Sequence, residues 1–270
     1  MPTTTETTTA AVPDWQIAGA AWEHAAVDWA MLFEPYARDA IEAVFVATGV
    51  GPGTELLDVA CGAGLALGRA DRLGARTAGI DASAGLLRIA ARRAPVAELV
   101  HGSMFELPWP DSSFDAVTSF NGIWGGCEDA LSEIARVLRP GGSVGFTFWG
   151  PGSALDLRDY FIVLGTSGPE VADELISLAA IGAPGVAEGM VEAAGMTVEA
   201  RSSTTAVIEA PDADLAWRAL RSPGVAVPCL EHTGEDELRR RVLDAVEPFR
   251  AADGSYHLRN ELIHVIARRG

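Results

Sequence analysis

Asp58, Gly62, Gly64 and Asp81 are the residues whose types and spacing first suggest chemistry. They lie in and after the stretch Leu56-Leu57-Asp58-Val59-Ala60-Cys61-Gly62-Ala63-Gly64-Leu65-Ala66-Leu67. Gly62 and Gly64 let the backbone approach a ligand with no Cβ in the way, and a helix starting there aims free N–H groups at it. Asp81 stands about twenty residues on, where an acidic group at a strand end can hydrogen-bond both hydroxyls of a ribose. A dinucleotide fingerprint would need a third glycine where Leu67 stands. A phosphate-cradling P-loop would need a lysine, and the chain has none.

The elements that must position these residues follow from hydrophobic patterning. Residues 56–60 form an apolar run broken only by Asp58, which suits a buried parallel strand, and a helical pattern follows with Leu65, Leu67, Ala70 and Leu73. A second strand is expected over 76–81, with Ser83 as the N-cap of a helix through Ala91. Strands over 96–101, 114–120 and 143–149 come next, with a helix over 127–138 and a tight turn at Arg139-Pro140-Gly141-Gly142. Residues 15–50 read as helical, with Trp22, Ala26, Trp29, Phe33 and Ala37 near one face. That face covers the sheet, and Trp22, Trp29 and Tyr36 are candidates for a lid.

After Trp149 a helix through Tyr160 and Leu164, helices over 186–194, 213–220 and 235–249, and β segments over 196–208 and 255–267 are expected. The expected organisation is a disordered 1–14 and one domain over 15–270. Within it, 15–50 is the helical lid, 51–150 the cofactor-binding core, and 151–270 a helical cap with C-terminal edge strands.

The string 56–64 resembles the first motif of class I S-adenosylmethionine-dependent methyltransferases. Further resemblance to the bacterial small-molecule type lies in the loop from Gly102 to Asp115, in the string from Leu131 to Gly142, and in Ala21-Trp22, Asp28-Trp29-Ala30 and Phe120-Asn121. It implies a Rossmann-like α/β fold: a mostly parallel seven-stranded sheet with an antiparallel edge strand and a helical cap. It implies S-adenosyl-L-methionine as cofactor, with Trp22, Ala60, Gly62, Asp81, Ala82, Ser103, Met104 and Asn121 as cofactor-binding candidates. Ser103 stands where the family often has an acid. Asn121 either binds the methionine portion through its amide or turns the chain in a left-handed conformation. Trp124 and Tyr160 are candidates for the substrate pocket.

The implied reaction moves a methyl group to oxygen, nitrogen or carbon of a small molecule, a specialised metabolite by family analogy. Two alternatives stand beside it: cyclisation or rearrangement around a bound cofactor without methyl transfer, and a non-enzymatic binding module. No catalytic residue is assigned. Of the histidines, His24 and His232 are placed to approach an acceptor, His101 lies on the adenine side, and His264 in an apolar strand reads as a satisfied structural residue; His257 is a further candidate base. Tyr36, Tyr160 and Tyr256 are further pocket formers.

A formal net charge of −17 over 270 residues repels phosphate backbones and anionic membranes, so nucleic acid and membrane are not expected partners. Three cysteines without metal-ligand spacing, and no signal-like or membrane-length run, point to reduced thiols in the cytoplasm and to no metal. A homodimer is allowed but not required.

Overall fold

The computed structural model describes residues 14–169 and 180–270. Its centre is a seven-stranded sheet in the order β3-β2-β1-β4-β5-β7-β6. The strands are β1 (Glu55–Val59), β2 (Arg76–Asp81), β3 (Glu98–His101), β4 (Phe114–Phe120), β5 (Leu138–Trp149), β6 (Met196–Ala210) and β7 (Tyr256–Arg269). β1 to β5 run parallel, and β7 is antiparallel to both of its neighbours. This is the expected Rossmann-like sheet with its antiparallel edge pair. Strand order reverses between β1 and β4, and such a reversal opens a crevice at the carboxyl ends of the strands.

Both faces of the sheet are covered, which is why β1 is apolar along its length. Leu56 packs into one core with Phe45 and Tyr160. Leu57 and Val59 pack into the other with Ile80, Val117 and Ile134. Each such side chain contributes roughly 1.5–3 kcal/mol on burial.

The N-terminal helical region is broken rather than continuous. It runs as α1 (Asp14–Glu23), α2 (Ala26–Asp28), a wide π-turn (Trp29–Phe33), a tight 3-10 turn (Glu34–Ala37) and α3 (Arg38–Thr48). Pro35 contributes to the break, because it has no N–H to continue the helical ladder. Asp14, expected to belong to a disordered terminus, opens α1; residues 1–13 lie outside the described residues. The crossover helices are α4 (Leu65–Arg72), α5 (Ala84–Arg93) and α6 (Glu128–Val137). Ser83 caps α5, its Oγ accepting the Leu86 amide at 3.3 Å.

β5 begins five residues earlier than expected. Leu138 pairs with Phe114, the register shifts, and pairing resumes at Ser143, so the Arg139–Gly142 turn is a bulge within the strand, with Gly141 at φ +77°. The C-terminal half carries α7 (Arg158–Gly165), α8 (Val186–Ala193), α9 (Ala213–Leu220), α10 (Val227–Thr233) and α11 (Glu235–Val246). No helix was expected at α10; Pro228 sits in its first turn, where a proline is compatible. Residues 170–179 of the expected cap lie outside the described residues. Among the described residues no helix is long and apolar enough to cross a membrane.

Candidate functional site

Two left-handed turns meet at the strand-order reversal. After β1 the backbone is left-handed at Ala60 (φ 55°), Gly62 (54°) and Gly64 (75°), and after β4 at Asn121 (56°). A Cβ on Gly122 would stand 2.5 Å from the Ala60 Cβ, so the turns fit together only because position 122 has none.

Four consecutive N–H groups of this turn, from Cys61 to Gly64, have partners. Cys61 donates to the Ile80 carbonyl at 3.0 Å and Gly64 to the Cys61 carbonyl at 2.9 Å. Gly62 donates to Asp81 Oδ2 at 2.8 Å, and Ala63 to Glu34 Oε1 at 3.2 Å. Side chains from β2 and the lid thus close a turn that looks open in sequence. The turn presents carboxylates where a phosphate site would present bare amides.

Two buried acids, Glu34 and Asp58, and the half-buried Asp81 gather here near one guanidinium. Arg93 pairs with Glu34 Oε2 and donates to the carbonyls of Ala63 (3.3 Å) and Ala30 (2.6 Å). Burial pushes the Glu34 carboxyl up to about 7 despite Arg93. Burial likewise lifts Asp58 to about 8, where the Thr118 hydroxyl donates to it at 2.7 Å. Asp81 is raised by the same desolvation, opposed by the amides of Ser83 and Gly62.

A cavity of about 360 Å³ lies over this crest. Trp22, Ala60, Gly62, Asp81 and Ala82 line it, as do Ser103, Met104 and Asn121. Trp124 and Tyr160 line it as well, so all ten sequence candidates come together. The lid reaches it through Trp22, which meets Trp29 edge-on at 4.8 Å, and Trp29 stacks on Phe33 at 5.1 Å. α1 sits directly on the end of β2, since a Cβ on Gly19 would collide with the Ala82 carbonyl.

Individual candidates are less free than their types suggest. Asn121 is the left-handed turn residue, and its amide is already engaged: Nδ2 donates to Tyr36 Oη at 2.6 Å and Oδ1 accepts from Thr147 Oγ1 at 3.1 Å. Tyr160 spends its hydroxyl on the Leu220 carbonyl at 2.8 Å and offers the cavity only its ring. Ser103 Oγ accepts the Phe105 amide at 3.2 Å. Met104 and Trp124 pack partly against the core beneath.

No histidine lines the cavity among the described residues. His24 borders a separate open cleft with Arg88 and Arg221, and His232 lies on α10, so neither is placed to approach an acceptor. His101 Nε2 lies 2.9 Å from the Ala82 carbonyl, and His257 Nδ1 lies 3.2 Å from Glu209. His264 is buried, yet among the described residues its Nδ1 has no partner, so it is not the satisfied histidine expected; burial lowers its pKa. Among the described residues no three His, Cys, Asp or Glu side chains converge as a metal site.

Sequence reading missed Glu34, and it missed Phe161, Pro223 and Val225, which bring the C-terminal half to the cavity. Glu34 leaves one cue, an acid between Phe33 and Pro35 in an otherwise apolar face. The other three leave none.

The fold and crest together define a Rossmann-like α/β domain with a cavity at its topological switch point. Residues 57–146 match the family described as methyltransferase domain. The demethylmenaquinone methyltransferase of Staphylococcus aureus is 41% identical over 104 residues, which are 36% of this chain and 43% of that protein. Its counterpart from Renibacterium salmoninarum is 38% identical over 100 residues, 36% of this chain and 42% of that one. The match thus spans less than half the length of these curated relatives. Among solved structures, the [4+2]-cyclase SpnF shares the fold with TM-score 0.59 and 20% identity, covering 96% of this chain and 97% of that one. The geranyl diphosphate C-methyltransferase of Streptomyces coelicolor A3(2) shares it with TM-score 0.50 and 18% identity, covering 86% and 80%.

Proposed function

We propose that this chain binds S-adenosylmethionine over the crest and transfers its methyl group to oxygen, nitrogen or carbon of a small-molecule acceptor. The observation that carries the reading is the chemistry of the turn: the amides from Cys61 to Gly64 are satisfied internally, two of them by the carboxylates of Asp81 and Glu34. Such a site suits a nucleoside bearing positive charge and disfavours one bearing phosphate. Bound there, the cofactor supplies a methyl carbon on a positively charged sulfur.

The chain's own residues do the rest. Asp81 keeps acceptor capacity beyond the Gly62 and Ser83 amides for the ribose hydroxyls. Glu34 holds the turn that faces the cofactor, through the Ala63 amide and Arg93. Trp22, Trp29 and Phe33 exclude water, and aromatic faces stabilise a nearby cation. Alignment inside a dry cavity can contribute on the order of 7–11 kcal/mol, so an assigned general base is not required. We place the acceptor among specialised metabolites and the enzyme in the cytoplasm; three buried free cysteines support the latter.

Incubation of the protein with methyl-labelled cofactor and a metabolite extract tests the reading. Label on a small molecule is the expected result. Acceptor turnover with all label left on the cofactor would instead mean cyclisation or rearrangement.

A further inference from the structure

We infer that the acceptor is an uncharged, largely apolar molecule with a flat ring system, held by one oxygen that faces Tyr36. The inference rests on the methyltransferase reading and deepens it. The cavity lining includes Phe33, Tyr36, Trp124, Trp149, Phe161 and Val225. Tyr36 and Trp149 lie 4.8 Å apart between ring centroids, and Trp149 and Phe161 6.2 Å apart, so the walls present aromatic surface to a planar guest.

The charges around it are one-sided. Among the described residues no Arg or His lines the cavity, and its formally charged lining groups are Asp14 and Asp81. The chain has no lysine, and the sequences of segments 1–13 and 170–179 contain no Lys, Arg or His. A phosphate or carboxylate entering here would lose its water and meet no cationic side chain among the described residues.

Tyr36 is the polar handle. It is buried, and its Oη accepts from Asn121 Nδ2 while Asn121 is itself held by Thr147. The phenolic proton has no acceptor among the described residues, and burial keeps that proton on the ring oxygen. A fixed donor in an apolar chamber selects a guest with a hydroxyl or carbonyl oxygen.

The test titrates the full chain with 1-naphthol and with 1-naphthyl phosphate, following tryptophan emission, with and without S-adenosylhomocysteine. The neutral phenol should bind at least about tenfold more tightly than its phosphate ester, which finds no counter-charge. Tyr36→Phe should weaken naphthol several-fold, and Phe161→Arg should bring the phosphate to parity or better. Phosphate binding as tight as naphthol to the unaltered protein overturns the inference, as does the absence of saturable naphthol binding. Naphthol binding indifferent to both substitutions overturns it too; should Phe161→Arg lose the native circular dichroism spectrum, Tyr36→Phe alone decides. Calorimetry with S-adenosylhomocysteine tests the methyltransferase reading separately, so its failure beside a clear naphthol preference sinks that reading alone.

Discussion

Glu34 accepts the Ala63 amide at 3.2 Å through Oε1, and through Oε2 it pairs with Arg93 on α5. One carboxylate in the lid therefore caps the amide turn after β1 and ties that turn to the neighbouring crossover helix. The N-terminal helical region and the turn after β1 are a single hydrogen-bonded unit.

Replacing Glu34 by Ala should loosen that unit. The Ala63 amide and the Arg93 guanidinium both lose a buried partner, a loss of about 1–3 kcal/mol for each unsatisfied group. Hydrogen exchange at the Ala63 amide should accelerate, and cofactor should dissociate faster. Glu34→Gln, which keeps an acceptor for the amide, should fall between the two. Unchanged exchange in Glu34→Ala would refute the latch.

Stability should depend on pH through Asp58 with a defined sign. Burial pushes its carboxyl up to about 8 in the folded protein from an ordinary value of 3.8. Between those values the folded state holds a proton that the unfolded state has lost, so this group makes stability fall as pH rises. Asp58→Asn retains an acceptor for the Thr118 hydroxyl and cannot ionise. Relative to wild type, the variant should gain on the order of 1–3 kcal/mol between pH 5 and pH 8, read from thermal midpoints across that range. Glu34, raised to about 7 from 4.5, acts in the same direction over a narrower window. Parallel midpoint curves for the two proteins would show that Asp58 does not titrate in this range.

Asp81→Ala should weaken cofactor binding by about 1–3 kcal/mol through lost ribose hydrogen bonds. It also removes the acceptor of the Gly62 and Ser83 amides, at 2.8 and 2.7 Å, so thermal stability should drop as well. Asp81→Asn, which keeps one carbonyl acceptor, should recover part of the stability and less of the affinity. Calorimetry showing unchanged affinity in both variants would remove Asp81 from the site.

Gly62→Val should abolish cofactor binding in a protein that still folds. The left-handed backbone, at φ 54°, costs a side-chain-bearing residue about 1–2 kcal/mol. The new Cβ would lie 3.3 Å from Glu34 Oε1, so the branched methyls displace the carboxylate that seals the turn. Retained affinity would show that Gly62 serves only the turn.

Gly19→Val should undock α1 without unfolding the sheet, because its Cβ meets the Ala82 backbone rather than a flexible side chain. Limited proteolysis should then cut near the N-terminus faster, with the main thermal transition little changed. A protease-resistant N-terminus would mean that α1 finds another seat.

The strands around the crest were legible because their burial is local and periodic. Residues 76–81 and 114–120 were expected as strands and form β2 and β4 with those bounds. Ser83 announced the start of α5 through its type alone. The bulge that joins Leu138 to β5 was hidden, because Pro140 and two glycines signal a turn whether or not a partner strand lies alongside. The ten candidate residues converge on one cavity because most sit at strand ends, where the sheet order itself brings them together.

By itself, the amino-acid sequence determined the parallel core, the placement of Gly62 and Asp81 at neighbouring strand ends, and the exclusion of phosphate chemistry that needs lysine. These follow from residue type and from periods of a few residues. Only the tertiary structure decided that Asp81 and Glu34 occupy the Gly62 and Ala63 amides, that Asn121 is held by Tyr36 and Thr147, and that among the described residues no histidine faces the cavity. Those contacts join positions that chain folding brings together across 19 to 85 residues, and no local pattern encodes a partner that far away.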